Sequence, residues 1–217
     1  MARWRRLLAN GFVPKVFYDI GANDPLAPEG QQTVLKPLMP ATRFYLFEAM
    51  AKHEPALRRS GEPFALGVLG ATDGAQVTFY ETKAFAPGSG DSYYRERTAF
   101  YDASVIVESV HTVRRLDTVV RERGWPLPDF IKLDTQGSEL DILRGAGDCL
   151  TSARGLQLEC SVHRYNEGAP LIGEMLRFAE EAGFRVYDIA QFHFNERKEI
   201  LQMDIVFLRD QLLRDGE

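Results

Sequence analysis

Hydrophobic and polar positions fall into two rhythms along the chain. Short apolar runs at Val16–Ile20, 43–47 and 64–69 read as buried strands. Between them, 31–39 and 51–59 have helical spacing, the first stopping at Pro40 and the second near Gly61. Strand, helix, strand, helix, strand is the opening of an α/β parallel sheet. Right-handed crossovers place the ends of these strands, with their loops, along one edge. The middle of the chain differs: 75–80 and 105–113 have strand character, and the Gly-, Ser- and Tyr-rich segment 83–98 reads as a long loop of the kind that is often functional. Leu116–Arg123 predicts a helix ended by Gly124, and the alternation then resumes. A strand at Phe130–Leu133 closes on Asp134, a helix starts at Ser138, and a strand covers 156–160. An amphipathic helix over 171–182 ends at Gly183, and strands follow at 184–189 and 203–208. The polar connection between these last two, which includes 195–199, fits no helix, so they are expected to pair antiparallel.

Composition adds bounds. A chain of 217 residues, 45% hydrophobic and 26% charged, suits one globular core, and we read 1–217 as a single domain with residues 1–14 as a helical extension. The net charge of −5 argues against a broad nucleic-acid surface. Cys149 and Cys160 form neither a disulfide framework nor a zinc pattern and read as reduced core thiols, which points to a cytoplasmic protein. No stretch is long and apolar enough to span a membrane. The basic N-terminal segment reads as an amphipathic helix packed on the domain, the alternative being membrane-surface contact through Arg3, Arg5 and Arg6.

In open α/β sheets, ligands sit beyond the carboxyl ends of the strands. Four acids fall there: Asp19, Glu48, Asp134 and Glu159. The first loop runs Asp19-Ile-Gly-Ala-Asn-Asp-Pro25, and Gly21 permits close backbone approach or simply a plain turn. Glu48, at the end of the next strand, is positioned to accept hydrogen bonds from two ribose hydroxyls. A dinucleotide loop needs further glycines whose N–H groups meet a pyrophosphate. Here Pro25 has no N–H and Asp24 would repel the anion, so S-adenosylmethionine, cationic and without phosphate, suits the loop better.

Phe17-Tyr-Asp-Ile-Gly-Ala-Asn-Asp24, Leu46-Phe-Glu48, Arg115-Leu-Asp-Thr118 and Phe130-Ile-Lys-Leu-Asp-Thr-Gln-Gly-Ser-Glu139 with Ile142-Leu-Arg-Gly-Ala146 together resemble the FkbM-type S-adenosylmethionine-dependent methyltransferases. The Lys-Leu-Asp-Thr-Gln-Gly-Ser-Glu block is the most specific part, and the likeness runs in order over about 16–208. It implies a Rossmann-like class I methyltransferase fold, a seven-stranded, mostly parallel sheet with an antiparallel last strand. It also implies methyl transfer, usually to a hydroxyl of a sugar, lipid or other small-molecule acceptor. Carried over, Asp19, Gly21, Ala22 and Asn23 meet the methionine part of the donor. Glu48 takes the ribose, Phe47 and Ala49 lie beside the adenine, and Asp134 and Gln136 face the methyl group and acceptor. Pro25 departs from the family, which often has glycine after this loop.

Asp134 is the first candidate for taking the acceptor's proton and His163 the second, with a plain hydrogen-bonded histidine as the alternative for the latter. Glu139 reads as a helix-start acid and Lys132 as a structural ion-pair partner. Asp134 and Glu159, at adjacent strand ends, form a weak Mg²⁺ candidate. Ser92, Tyr93, Tyr165 and Asn166 are candidate acceptor-binding residues, the first two on a possible lid over 85–101 whose aromatics would otherwise pack on the domain. Two rivals stand beside methyl transfer: an NAD(P)-dependent oxidoreductase, and a non-catalytic S-adenosylmethionine-binding protein of the same fold.

Overall fold

A computed structural model of the chain describes residues 2–82, 90–97, 106–209 and 212. In chain order the elements are α1 (Ala2–Ala9), β1 (Val16–Ile20), α2 (Gln31–Leu35), β2 (Arg43–Glu48), α3 (Glu54–Ser60) and β3 (Phe64–Leu66). Then come β4 (Gln76–Thr82), β5 (Ile106–Thr112), α4 (Leu116–Arg123), β6 (Phe130–Leu133), α5 (Glu139–Arg144) and α6 (Asp148–Ser152). The chain closes with β7 (Gly155–Ser161), α7 (Ile172–Glu181), β8 (Phe184–Phe194) and β9 (Ile200–Arg209).

Seven strands form one sheet in the order β3-β2-β1-β6-β7-β9-β8. The pairs among β3, β2, β1, β6 and β7 are all parallel, and β9 runs antiparallel to both β7 and β8. The expected mixed sheet is therefore the observed one. Strand order reverses between β1 and β6, where consecutive connections leave in opposite directions and open a crevice. The strands β1, β6 and β7 are buried along their whole length, so their mainly apolar sequences also bury the polar side chains they carry, Asp19, Lys132, Gln157 and Glu159. One face of the sheet carries Phe17, Phe44, Phe130 and Val206 under Trp4 and Leu7 of α1, with the Trp4 and Phe130 rings 4.9 Å apart. The basic side of that helix contributes an ion pair between Arg6 and Asp188 of β8. No helix among the described residues is long and apolar enough to cross a membrane.

Several element ends move from their expected places for identifiable reasons. The helix expected over 31–39 stops at Leu35, because Pro37 cannot continue the hydrogen-bond ladder, and the chain finishes in tight turns with Leu38 N–H donating to Leu35 O at 2.9 Å. β3 ends at Leu66 because Gly67 turns the chain with φ 137°. β8 and β9 reach further than the pattern suggested, to Phe194 and back to Ile200, since Asn195 Oδ1 accepts N–H bonds from Arg197 and Glu199 at 2.9 Å each and closes them as a hairpin. The two middle strands do not join the main sheet. β4 and β5 form a separate antiparallel ribbon. Part of the segment expected as a lid, 85–89 and 98–101, lies outside the described residues.

Candidate functional site

The parallel strands end on one rim, and a cavity of about 560 Å³ opens above it. That volume is in the range of small-molecule pockets. One end is made by the β1 and β2 loops. Gly21 has φ 75°, and a Cβ there would lie 1.9 Å from the Asp134 backbone oxygen, so only glycine lets the first loop cross the β6 end. Gly21 and Ala22 donate their N–H groups to Phe47 O at 3.0 and 3.1 Å, tying the loops together. Glu48 anchors the same corner: Oε2 accepts the Asn23 N–H at 2.9 Å and Oε1 the Met50 N–H at 3.1 Å. Each carboxylate oxygen keeps a further lone pair for a ligand hydroxyl. Phe47, Ala49, Val68, Leu69 and Phe79 supply an apolar wall.

Beneath this rim Lys132 joins two carboxylates, one buried and one at the surface. Lys132, on β6, is the register partner of Asp19 on β1. Its Nζ sits 3.1 Å from Asp19 Oδ1 and 3.4 Å from Asp134 Oδ2 and donates to Gly21 O at 3.3 Å. Burial pushes the Asp19 carboxyl above its ordinary value against the pull of Lys132. Burial alone would lower Lys132, but the two carboxylates outweigh it and hold the ammonium. Asp19 is 1% exposed and does not line the cavity, so its reach to a ligand runs through Lys132 and the Gly21 loop. Ala22 packs into the core.

The other end of the cavity is polar. After β6, Thr135, Gln136 and Gly137 form a tight turn in which Gln136 takes φ 56°, a costly conformation for a residue with a side chain. Two groups hold it there. Glu139 accepts from Thr135 N–H at 2.7 Å, Thr135 Oγ1 at 3.0 Å and Gly137 N–H at 3.0 Å. Asn166 Nδ2 donates to Gln136 O at 2.7 Å. Glu139 is therefore more than a helix-start acid: burial lifts its carboxyl to about 7, against the opposing pull of those donors. The turn aims Gln136 Nε2 at Glu159 Oε2, 2.8 Å away, with Asp134 Oδ1 at 3.4 Å. The Gln136 amide thus bridges the Asp134 and Glu159 carboxylates, and among the described residues no third ligand joins this pair as a Mg²⁺ site. The other Glu159 oxygen accepts from Gln202 on β9, which in turn accepts from the Tyr165 hydroxyl. Burial and the neighbouring acids Asp134, Glu139 and Asp204 raise the Glu159 carboxyl well above its usual range.

The other candidates separate by position. Gly21, Asn23, Phe47, Glu48, Ala49, Tyr93, Asp134 and Gln136 line the cavity. Tyr165 and Asn166 are buried one step behind it, gripping Gln202 and Gln136. Ser92 is buried and bonded through its backbone to Tyr80, at the rear of Tyr93. His163 is exposed and lies off the cavity. The lining also contains His193 and Gln202, which sequence reasoning missed. The signal was the alternation Phe192-His193-Phe194, which prolongs β8 beyond its expected end.

The chain is similar to several known proteins. Over 191 residues the chain is 26% identical to the AMB antimetabolite synthetase AmbE of Pseudomonas aeruginosa, a match that takes in 71% of this chain and 9% of that protein. The solved methyltransferase FkbM from Methylobacillus flagellatus KT superposes with a TM-score of 0.52 at 14% identity, over 89% of this chain and 43% of that one. Magnesium protoporphyrin IX methyltransferase from Synechocystis PCC 6803, solved with bound SAM, gives a TM-score of 0.47 at 11% identity, over 96% of this chain and 77% of that one. The chain thus spans less than half the length of the first two. Residues 19–186 match the Methyltransferase FkbM domain, and the chain belongs to that family of methyltransferases.

Proposed function

We propose that this chain transfers the methyl group of S-adenosylmethionine to the oxygen of a hydroxyl on a small-molecule, sugar or lipid acceptor. The observation that carries the reading is the charge of the cavity. Five carboxylates line it, from Glu29, Glu48, Asp91, Asp134 and Glu159, and among the described residues no Lys or Arg does. Lys132 and Lys52 pair with Asp134 and Asp91 from behind the lining, and the carboxylates left facing the cavity, Glu48 and Glu29 among them, favour a donor bearing sulfonium and ammonium groups over a pyrophosphate. The residues present fit such a donor. Glu48 has acceptor capacity left for two ribose hydroxyls, Phe47 and Ala49 flank the adenine position, and Gly21 and Asn23 border the methionine part. The sulfonium supplies an activated methyl group, so the protein's task is alignment and proton removal. Asp134, at the rim beside the β6 turn, is the group we assign to receive or orient the acceptor hydroxyl. His163, exposed and away from the cavity, has no path to that proton in this geometry.

Calorimetric titration of the protein with S-adenosylhomocysteine and, separately, NADH tests the proposal. We expect saturable binding of the first and none of the second. Binding of NADH alone would overturn it. Methyl-labelled S-adenosylmethionine presented with hydroxylated acceptors then tests the transfer itself.

A further inference from the structure

We propose that Glu159, His193 and Asp204 form a binding site for one divalent transition-metal ion on the acceptor side of the cavity. The strand registers create the cluster. Glu159 of β7 lies opposite Asp204 of β9, and His193 of β8 lies opposite Gln202, two residues before Asp204 on the same strand. Residues in register, and those two apart on one strand, project from the same face. One donor atom from each of the three therefore comes within 4.8 Å of the others, with His193 Nε2 3.8 Å from Asp204 Oδ1. These separations suit three ligands about 2 Å from a common centre after small side-chain adjustments.

The donor set is not simply acidic. An imidazole with two carboxylates suits Zn²⁺ or Mn²⁺ rather than the all-oxygen shell that Mg²⁺ prefers. The carboxylate in the middle is already oriented: Gln136 and Gln202 each donate to one Glu159 oxygen, and Gln157 Nε2 lies 3.5 Å from Asp204 Oδ2. Such outer partners are what fix first ligands in metal sites. Glu159 and His193 line the cavity, so an ion held by them would be within reach of the space left for the acceptor. Three protein ligands with open positions are the arrangement of metals that bind substrate. There the ion would hold the acceptor's hydroxyl oxygen and favour its ionisation, a role that rests on the O-methylation reading above.

The test is titration of the chelator-treated protein with Zn²⁺ by calorimetry and with Mn²⁺ by electron paramagnetic resonance. Wild type should take up one ion. His193→Ala and Asp204→Asn should each weaken uptake at least tenfold, and His163→Ala should leave it unchanged. Circular dichroism and S-adenosylhomocysteine binding verify that each variant is folded. Wild type without a saturable one-ion site, or His193→Ala binding as tightly as wild type, would overturn the proposal. If S-adenosylhomocysteine fails to bind while the ion does, the methyl-transfer reading falls and the metal site stands.

Discussion

Removing the Glu48 carboxylate should damage donor binding far more than folding. Its two oxygens each accept a backbone N–H, from Asn23 at 2.9 Å and Met50 at 3.1 Å, and each is left with capacity for one ribose hydroxyl. A hydrogen bond to a charged group contributes about 1.5–3 kcal/mol, so losing two of them in Glu48→Ala weakens binding by about 3 kcal/mol or more, roughly 100-fold in Kd. The orphaned N–H groups sit at a half-buried rim where water replaces the carboxylate, and this costs only about 1 kcal/mol of stability. Glu48→Gln separates the two effects. It keeps one acceptor oxygen but turns an NH₂ toward a backbone N–H, and it should fall between, near tenfold. Calorimetry with S-adenosylhomocysteine measures the affinities, and thermal melts without ligand measure the stability. A folded Glu48→Ala protein that binds within about threefold of wild type would refute the assignment of Glu48 to the ribose.

Gly21→Ala combines a left-handed backbone with a Cβ 1.9 Å from the Asp134 oxygen. It should cost about 2–5 kcal/mol, visible as a lower midpoint in urea together with weaker S-adenosylhomocysteine binding. Lys132→Met leaves Asp19 buried beside a neutral side chain, and calorimetric melting should register about 3–5 kcal/mol of lost stability, with much of it recovered in the Asp19→Asn/Lys132→Met double variant. Glu139 has a carboxyl raised from 4.5 to about 7, so the folded chain holds that proton more tightly than the unfolded one. Its contribution to stability is therefore fully present below about 4.5 and is lost as pH rises toward 7, with a slope of up to about 1.4 kcal/mol per pH unit. Urea unfolding at pH 5 and pH 7 should show a smaller difference between the two pH values in Glu139→Gln than in wild type, and an unchanged difference would rule out Glu139 as the source.

The local pattern was enough to mark the rim of the site. Val16–Ile20 and Phe130–Leu133 are mainly apolar runs that meet polar loops, and a polar residue just past such a boundary marks a strand end open to solvent or ligand. The positions of Asp134, Glu48 and Gly21 at strand ends bordering the cavity were therefore legible, along with the sheet that carries them. Local pattern could not tell that Asp19 turns down to Lys132 rather than toward the cavity, because that depends on which strand becomes its neighbour. Nor could it distinguish Tyr165 and Asn166 as supports from residues that line the cavity, since both follow β7 and differ from lining residues only in where their polar atoms end.

The alternation of helix and strand, the antiparallel closing pair and the glycine turn of the first loop are written in the order of residues, since each follows from hydrogen-bonding capacity and hydrophobic period over a few adjacent positions. The far wall of the cavity depends instead on how distant segments pack. Glu159, His193, Gln202 and Asp204 come from three strands, and they meet because β9 inserts between β7 and β8 in one particular register, with irregularities along β8. A shift of one residue would send those side chains to the opposite face, and that register is set by packing across the whole sheet rather than by any segment alone.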